Sequence, residues 1–221
     1  ANQILIVSKN MLPYFPKSSP VLVVYNRIPS LLAPQTKSKM PTFVCAGTIE
    51  ERKGVKTLLE AVRLIKDFNF QIHIYGNPLP TTQNYLRQMK KYVKTHGLEQ
   101  HVHWMGVSSK LKFAIASSHG VIIPSISEPF GRVAVEAMAL KKIVIASKVG
   151  GLAEIVKDNQ TGLLFKAGNA KQLAFKIKKV LENPALGTKL GQNGYKRYLK
   201  EFTLKKHIQE IVKVYKKVLK G

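Results

Sequence analysis

Cysteine is nearly absent. Cys45 is the only one in 221 residues, so the chain can form neither an internal disulfide nor a cysteine-based metal cluster. It stands in the strand-like run TFVCAG, where a small apolar side chain packs, and its isolation fits a reducing compartment. Long apolar runs are missing too. None approaches the roughly 18 residues of a membrane-spanning helix, and the start, ANQILIVSKN, lacks the basic region, apolar core and cleavage site of a secretory leader. A cytoplasmic protein is expected. Acidic residues are scarce, 12 against 36 Lys and Arg, which leaves a formal charge of +24. Within that excess arginine is scarce, 6 against 30 lysines, although arginine is what bidentate readout of bases and phosphates favours. The lysines are scattered, densest from Lys166 to Lys220, and no RNP-like or zinc-finger motif accompanies them. The charge therefore reads as a solvated lysine-rich surface, as a surface for an anionic membrane or acceptor, or, on charge alone, as a nucleic-acid partner. With 45% hydrophobic and 22% charged residues, disorder and low complexity are excluded.

What is present is an alternation of short β-branched runs with helix-length amphipathic stretches, the pattern of a parallel α/β sheet with crossover helices. Strands are expected at Ile4 to Val7, Val21 to Val24, Phe43 to Ala46, Gln71 to Tyr75, Val102 to Met105, Val121 to Pro124, Ile143 to Ala146 and Leu163 to Phe165. Val55, Leu58, Leu59, Val62 and Ile65 mark a helix at 3.6-residue spacing. Further helices are expected at Tyr85 to His96, Lys110 to Ser117, Val133 to Leu140 and Lys171 to Leu181, with a long one from about Leu204 to Leu219. Residues 26–40, rich in Pro, Ser and Lys, read as a linker. The 25 residues before it are too few to bury a core of their own, so the main domain is expected over 41–221 and residues 1–25 as the remnant of another.

The segment from Pro124 to Leu140, PSISEPFGRVAVEAMAL, turns from a strand into a helix at the carboxyl edge of such a sheet, where ligands bind. Free amides of Phe130, Gly131 and Arg132 at a helix N-terminus suit a phosphate. Glu136, one turn past Arg132, could accept hydrogen bonds from paired ribose hydroxyls, and Glu128 sits in the turn. Taken alone, Glu128 capping the helix and Glu136 solvated would explain both. The segment from Gly47 to Gly54, GTIEERKG, also follows a strand. Gly47 permits close approach, and Lys53 can reach a diphosphate as a point charge, though the P-loop pattern is absent. VGGLAE, from Val149 to Glu154, is a third glycine-bearing turn at that edge.

These segments together resemble the carboxyl-terminal, donor-binding domain of retaining GT-B glycosyltransferases of family 4, glycosyl transferases group 1. The resemblance rests on the E-x7-E motif from Glu128 to Glu136 in EPFGRVAVEAMA and on GTIEERKGVKTLLEA, VHWMGV, ASKVGGLAEIV and NQTGLLF in the family's order. ILIVSKNMLPYF and VLVVYNRIP, with Ser8 and Asn26, resemble the end of the partner domain and the strand leading to the linker. It implies a Rossmann-like doubly wound sheet with closing carboxyl-terminal helices. It also implies a donor site of Gly47, Thr48, Arg52, Lys53, Met105, Gly106, Val107, Ser108, Glu128, Pro129, Phe130, Gly131, Arg132 and Glu136. In that site Glu136 holds the ribose, while Glu128 and the amides hold the sugar and phosphates. Lys53 neutralises the leaving group, and the base lies near Met105 to Ser108. Glu128 and Lys53 are the catalytic pair. No DxD pair occurs, so no metal and no cofactor is expected beyond a UDP- or GDP-sugar substrate.

Three places depart from the family. Thr48 stands where an arginine is usual, and Arg52 is a substitute to be tested. Lys141 replaces a glycine after the EAMA helix, a matter of helix capping. Arg132 replaces leucine, either as an extra donor to the sugar or as a solvated side chain. The acceptor domain with its active-site histidine is not here, and His73, His96, His101, His103, His119 and His207 read as structural. His101 and His103 share a strand face, without a carboxylate or thiolate to make zinc credible. The expected function is donor binding in a hexosyltransferase that is inactive without its acceptor half. A stand-alone regulatory subunit completed by a partner chain, and a nucleic-acid-binding protein, are the alternatives.

Overall fold

The computed structural model describes residues 3–29, 31 and 38–220. Of the expected linker over 26–40, residues 30 and 32–37 lie outside the described residues. Two short strands, β1 (Ile4–Ile6) and β2 (Val21–Val23), pair in parallel around a 3-10 turn at Lys9–Tyr14 and form a small sheet of their own. The main sheet is six-stranded and parallel. Its strands are β3 (Thr42–Ala46), β4 (Gln71–Tyr75), β5 (Val102–Gly106), β6 (Gly120–Ile123), β7 (Ile143–Ser147) and β8 (Leu163–Phe165), in the order β5-β4-β3-β6-β7-β8. β6 and β7 are buried along their whole length, as the unbroken apolar runs GVII and IVIAS require of strands covered on both faces. Each expected strand is present, with ends differing by a residue or two.

Eight helices complete the described chain: α1 (Val55–Leu64), α2 (Gln83–Thr95), α3 (Leu111–Ser117), α4 (Arg132–Ala139), α5 (Gly150–Ile155), α6 (Ala170–Glu182), α7 (Pro184–Glu201) and α8 (Leu204–Lys220). They divide the core in two. One face of the sheet packs α1, α2 and α6 around Phe43, Leu58, Leu59 and Ile72, and Cys45 lies in this core with burial pushing its thiol up to about 12. The other face packs α4, α5 and α7 around Val44, Met138, Leu152 and Phe202. Asn169 and Asn183 cap α6 and α7 by accepting from the Gln172 and Leu186 amides, and Pro184 opens α7, which fixes the break between the two helices. Lys141, after α4, adopts a φ of 60° where glycine would be unstrained. Its ammonium lies 4.9 Å from the Tyr195 ring centroid.

From β3 the chain builds outward through β4 and β5, then returns to β6 on the other side of β3 and builds outward again. The reversal leaves a crevice at the carboxyl ends of β3 and β6, the switch point of a doubly wound sheet. The histidines fall elsewhere. His101 precedes β5 and bonds Phe70 O through Nδ1, while His103 packs edge-on against His73 of the neighbouring strand at 5.4 Å. His73 and not His101 is therefore the neighbour of His103.

Candidate functional site

The crevice is a cleft of about 190 Å³ lined by Gly47, Thr48, Lys53, Ser125, Glu128, Gly131 and Arg132, together with Tyr75 and Val133. Two loops make it. The first leaves β3 at Gly47, passes a 3-10 turn at Glu51–Lys53, and enters α1 at Gly54. Gly54 has a φ of +69°, and a Cβ there would lie 1.9 Å from Pro124 O. Only glycine lets the first loop press against the second this closely. Ile126 N donates to Arg52 O at 2.8 Å and joins the loops a second time. Lys53 is thereby aimed across the cleft, its aliphatic stem against Gly47 and its Nζ 2.7 Å from Glu128 Oε2. Ser125 Oγ donates to the same carboxylate oxygen at 3.4 Å. Glu128 thus pairs with Lys53 rather than capping α4.

The second loop, after β6, ends at Gly131, the N-cap of α4, which receives no side-chain cap. Ala134 N donates to Gly131 O at 2.9 Å, and among the described residues the amides of Phe130, Gly131, Arg132 and Val133 have no backbone acceptor. Phe130 turns its ring into the core against Tyr25 and Phe202, and its backbone packs against Gly151, so like Pro129 it lies outside the cleft lining. Free amides at the positive end of a helix form an anion site. One turn on, Arg132 Nε lies 2.9 Å from Glu136 Oε1, with the arginine side chain 74% exposed and the glutamate 17%. Burial lifts the Glu136 carboxyl above its ordinary range, and the Arg132 charge and hydrogen bond oppose that rise.

The residues singled out in the sequence do not all meet in the cleft. Gly47, Thr48, Lys53, Glu128, Gly131 and Arg132 share the cleft wall. Met105 and Gly106 end β5, and Val107 and Ser108 follow it, at the same sheet edge two strands out from β3. Backbone bonds from Gly47 N to Tyr75 O (3.0 Å) and from Gly76 N to Gly106 O (2.8 Å) tie the three turns in a row. Glu136 and Pro129 lie outside the lining, and Pro129 O accepts from Ser8. Arg52 turns away. Its guanidinium bonds Glu50 Oε1 at 2.7 Å and Ser127 O at 3.4 Å, and it borders a separate surface depression with Thr82 and Gln88. Tyr75 carried no sequence signal for the cleft, since its wall position follows from the strand order alone.

Comparisons with known proteins identify the family and the fold. A family model described as glycosyl transferases group 1 matches residues 32–197. An uncharacterized glycosyltransferase of Methanocaldococcus jannaschii is 33% identical over 89% of this chain and 54% of its own length. The capsular polysaccharide biosynthesis glycosyltransferase CapM of Staphylococcus aureus is 28% identical over 79% of this chain and 45% of its own. The chain thus spans about half the length of these relatives. Among solved structures, Anabaena HepE in complex with UDP and glucose superposes with a TM-score of 0.90 at 22% identity, over 98% of this chain and 63% of that one. Sucrose-phosphate synthase of Thermosynechococcus elongatus superposes at 0.89 with 26% identity, over 99% and 59%.

Proposed function

The chain belongs to the glycosyl transferases group 1 family, and from that premise we propose that its cleft binds the nucleoside diphosphate of a sugar donor. The observation that carries this is the meeting of the Lys53 ammonium with the unbonded amides of Gly131, Arg132 and Val133. A departing diphosphate gains negative charge, and fixed donors aimed at it stabilise the transition state more than the ground state. Lys53, Arg132 and the α4 N-terminus supply that positive field, so the proposed chemistry is metal-independent. Glu136 takes the ribose hydroxyls, and the turn from Met105 to Ser108, two strands from Lys53 in the same row of turns, receives the base.

The two glutamates are not read as a hydrolase pair. That reaction needs an acid facing a second carboxylate across the scissile bond, whereas Glu128 is bonded to Lys53 and Glu136 to Arg132. UDP is proposed over GDP because HepE, which shares this fold, holds UDP and glucose. Retention of anomeric configuration belongs to the proposal on the strength of the resemblance. The acceptor is proposed to bind in a half of the enzyme that this chain does not contain, so the chain alone binds donor and transfers nothing. The apolar stripe that α8 leaves exposed, Leu204, Ile208, Val212, Tyr215 and Leu219, is the proposed seat of that half. The lysine edge beside it, with Lys205, Lys213 and Lys216, is the proposed contact with an anionic membrane. Calorimetric titration with UDP, GDP and ADP in the presence of EDTA tests the reading. Selective, metal-free binding of one diphosphate supports it, and no binding to any of the three overturns it.

A further inference from the structure

Helix α5 lies behind the loop that carries Glu128. Gly151 N donates to Glu128 O at 3.0 Å. A Cβ at Gly150 would stand 2.1 Å from Glu128 O, and one at Gly151 2.3 Å from Phe130 O, so the helix end touches the loop backbone with nothing between. Pro129 is held from the other side. Ser8, fully buried, donates from Oγ to Pro129 O at 2.5 Å across 121 residues of sequence. The loop is therefore gripped between α5 and the segment that follows β1.

What holds that segment in place is itself on α5. Ser8 precedes the 3-10 turn at Lys9–Tyr14 but does not cap it. The carboxylate of Glu154 does so from a distant part of the chain, accepting from Lys9 N at 3.0 Å through Oε2 and from Asn10 N at 2.9 Å through Oε1. Tyr25 OH donates to Oε2 at 2.8 Å, and burial followed by this bond pushes the phenol up to about 12. The main chain of Glu154 is fixed in turn, because Arg197 donates to Glu154 O at 3.0 Å and to Ile155 O at 2.8 Å. A carboxylate with three donors at a helix N-terminus is a strong, directional anchor.

We propose that Glu154 is a positioning residue for the diphosphate loop: by capping the Lys9–Tyr14 turn it holds Ser8 against Pro129 and so sets Glu128 and the free amides of α4. The inference rests on the reading of that loop as the diphosphate site. Its chain of contact runs Glu154, Lys9 and Asn10, Ser8, Pro129, and touches the ligand at no point.

Amide hydrogen exchange and UDP titration of the full chain test it, with the variants Glu154→Ala, Glu154→Gln and Ser8→Ala. In Glu154→Ala the Lys9 and Asn10 amides are expected to exchange at least tenfold faster, and Gly151, whose acceptor is Glu128 O, to accelerate as well. UDP affinity is expected to fall about tenfold. Glu154→Gln keeps one acceptor oxygen and should fall between. Ser8→Ala should leave Lys9 and Asn10 protected and weaken UDP as Glu154→Ala does, which a purely local cap would not produce. Freed Lys9 and Asn10 amides with UDP affinity unchanged within twofold would overturn the proposal. If the parent chain binds no UDP, the diphosphate reading fails by itself, and an unaltered Gly151 rate in Glu154→Ala then overturns the coupling separately.

Discussion

Removing the positive charge of Lys53 and removing the negative charge of Glu128 are expected to destabilise the fold alike and to change UDP binding in opposite directions. The two side chains are 21% and 13% exposed and stand 2.7 Å apart. Exposed pairs contribute about 0–1 kcal/mol, and loss of one partner from a fully buried pair costs about 3–5 kcal/mol. At this intermediate burial, Lys53→Met and Glu128→Gln are each expected to cost about 2 kcal/mol. That corresponds to a fall of about 4–8 °C in midpoint, from roughly 2–4 °C per kcal/mol for a chain of this size. The double variant leaves no unpaired charge and should cost only about 1 kcal/mol, a coupling of about 3 kcal/mol in the cycle. Binding separates the two residues. Lys53→Met removes a charge-assisted contact worth roughly 1.5–3 kcal/mol and should weaken UDP about 10- to 100-fold. Glu128→Gln releases Lys53 toward the phosphates and should bind bare UDP at least as tightly as the parent. Thermal unfolding and calorimetry read both quantities. Additive losses of stability, or UDP affinity untouched by Lys53→Met, would refute the reasoning.

Gly54→Ala places a Cβ 1.9 Å from Pro124 O at a φ of +69°. With about 1–2 kcal/mol for the left-handed backbone and about 1–3 for overpacking, urea unfolding should register a loss of roughly 2–5 kcal/mol, and a loss under about 0.5 would contradict the close approach of the two loops. Glu136 titrates above its ordinary value of 4.5. In the window from there upward the unfolded chain gives up its proton first, so this group makes stability fall as pH rises. Glu136→Gln should therefore be more stable than the parent at pH 7 and equal to it near pH 3, and denaturant midpoints at the two pH values check this. Co-sedimentation should be stronger with anionic than with neutral vesicles and should fade with salt. Equal binding to both would remove the membrane contact.

Most of the architecture was legible because it rests on local periodicity. Runs such as GVII and IVIAS have one reading at their length, and the i, i+3, i+4 spacing of Val55, Leu58, Leu59 and Val62 has one as well. The cleft was legible through its glycines, since Gly47, Gly54 and Gly131 each stand between a strand and a helix. The partners inside it were not. Nothing in the spacing of Lys53 and Glu128, 75 residues apart, shows that they pair, or that Arg52 beside Lys53 turns to Glu50 instead. Taken alone, Glu128 reads as a helix cap, and only the fold shows that it pairs with Lys53 instead. The Glu154 anchor was hidden for the same reason. Two of its three donors are backbone amides 144 and 145 residues away, which have no side-chain signature, and the third, Tyr25 OH, lies 129 residues away.

The central claim is that the free amides at the start of α4, together with Lys53, hold a nucleoside diphosphate. The most direct test is a titration of UDP into isotopically labelled protein, following each backbone amide resonance. The account requires saturable shifts, at one common affinity, in Gly47, Phe130, Gly131 and Arg132 and in the turn from Met105 to Ser108, all attenuated in Glu136→Ala. Saturable shifts confined to residues away from these turns, or no shifts at millimolar UDP, would contradict it.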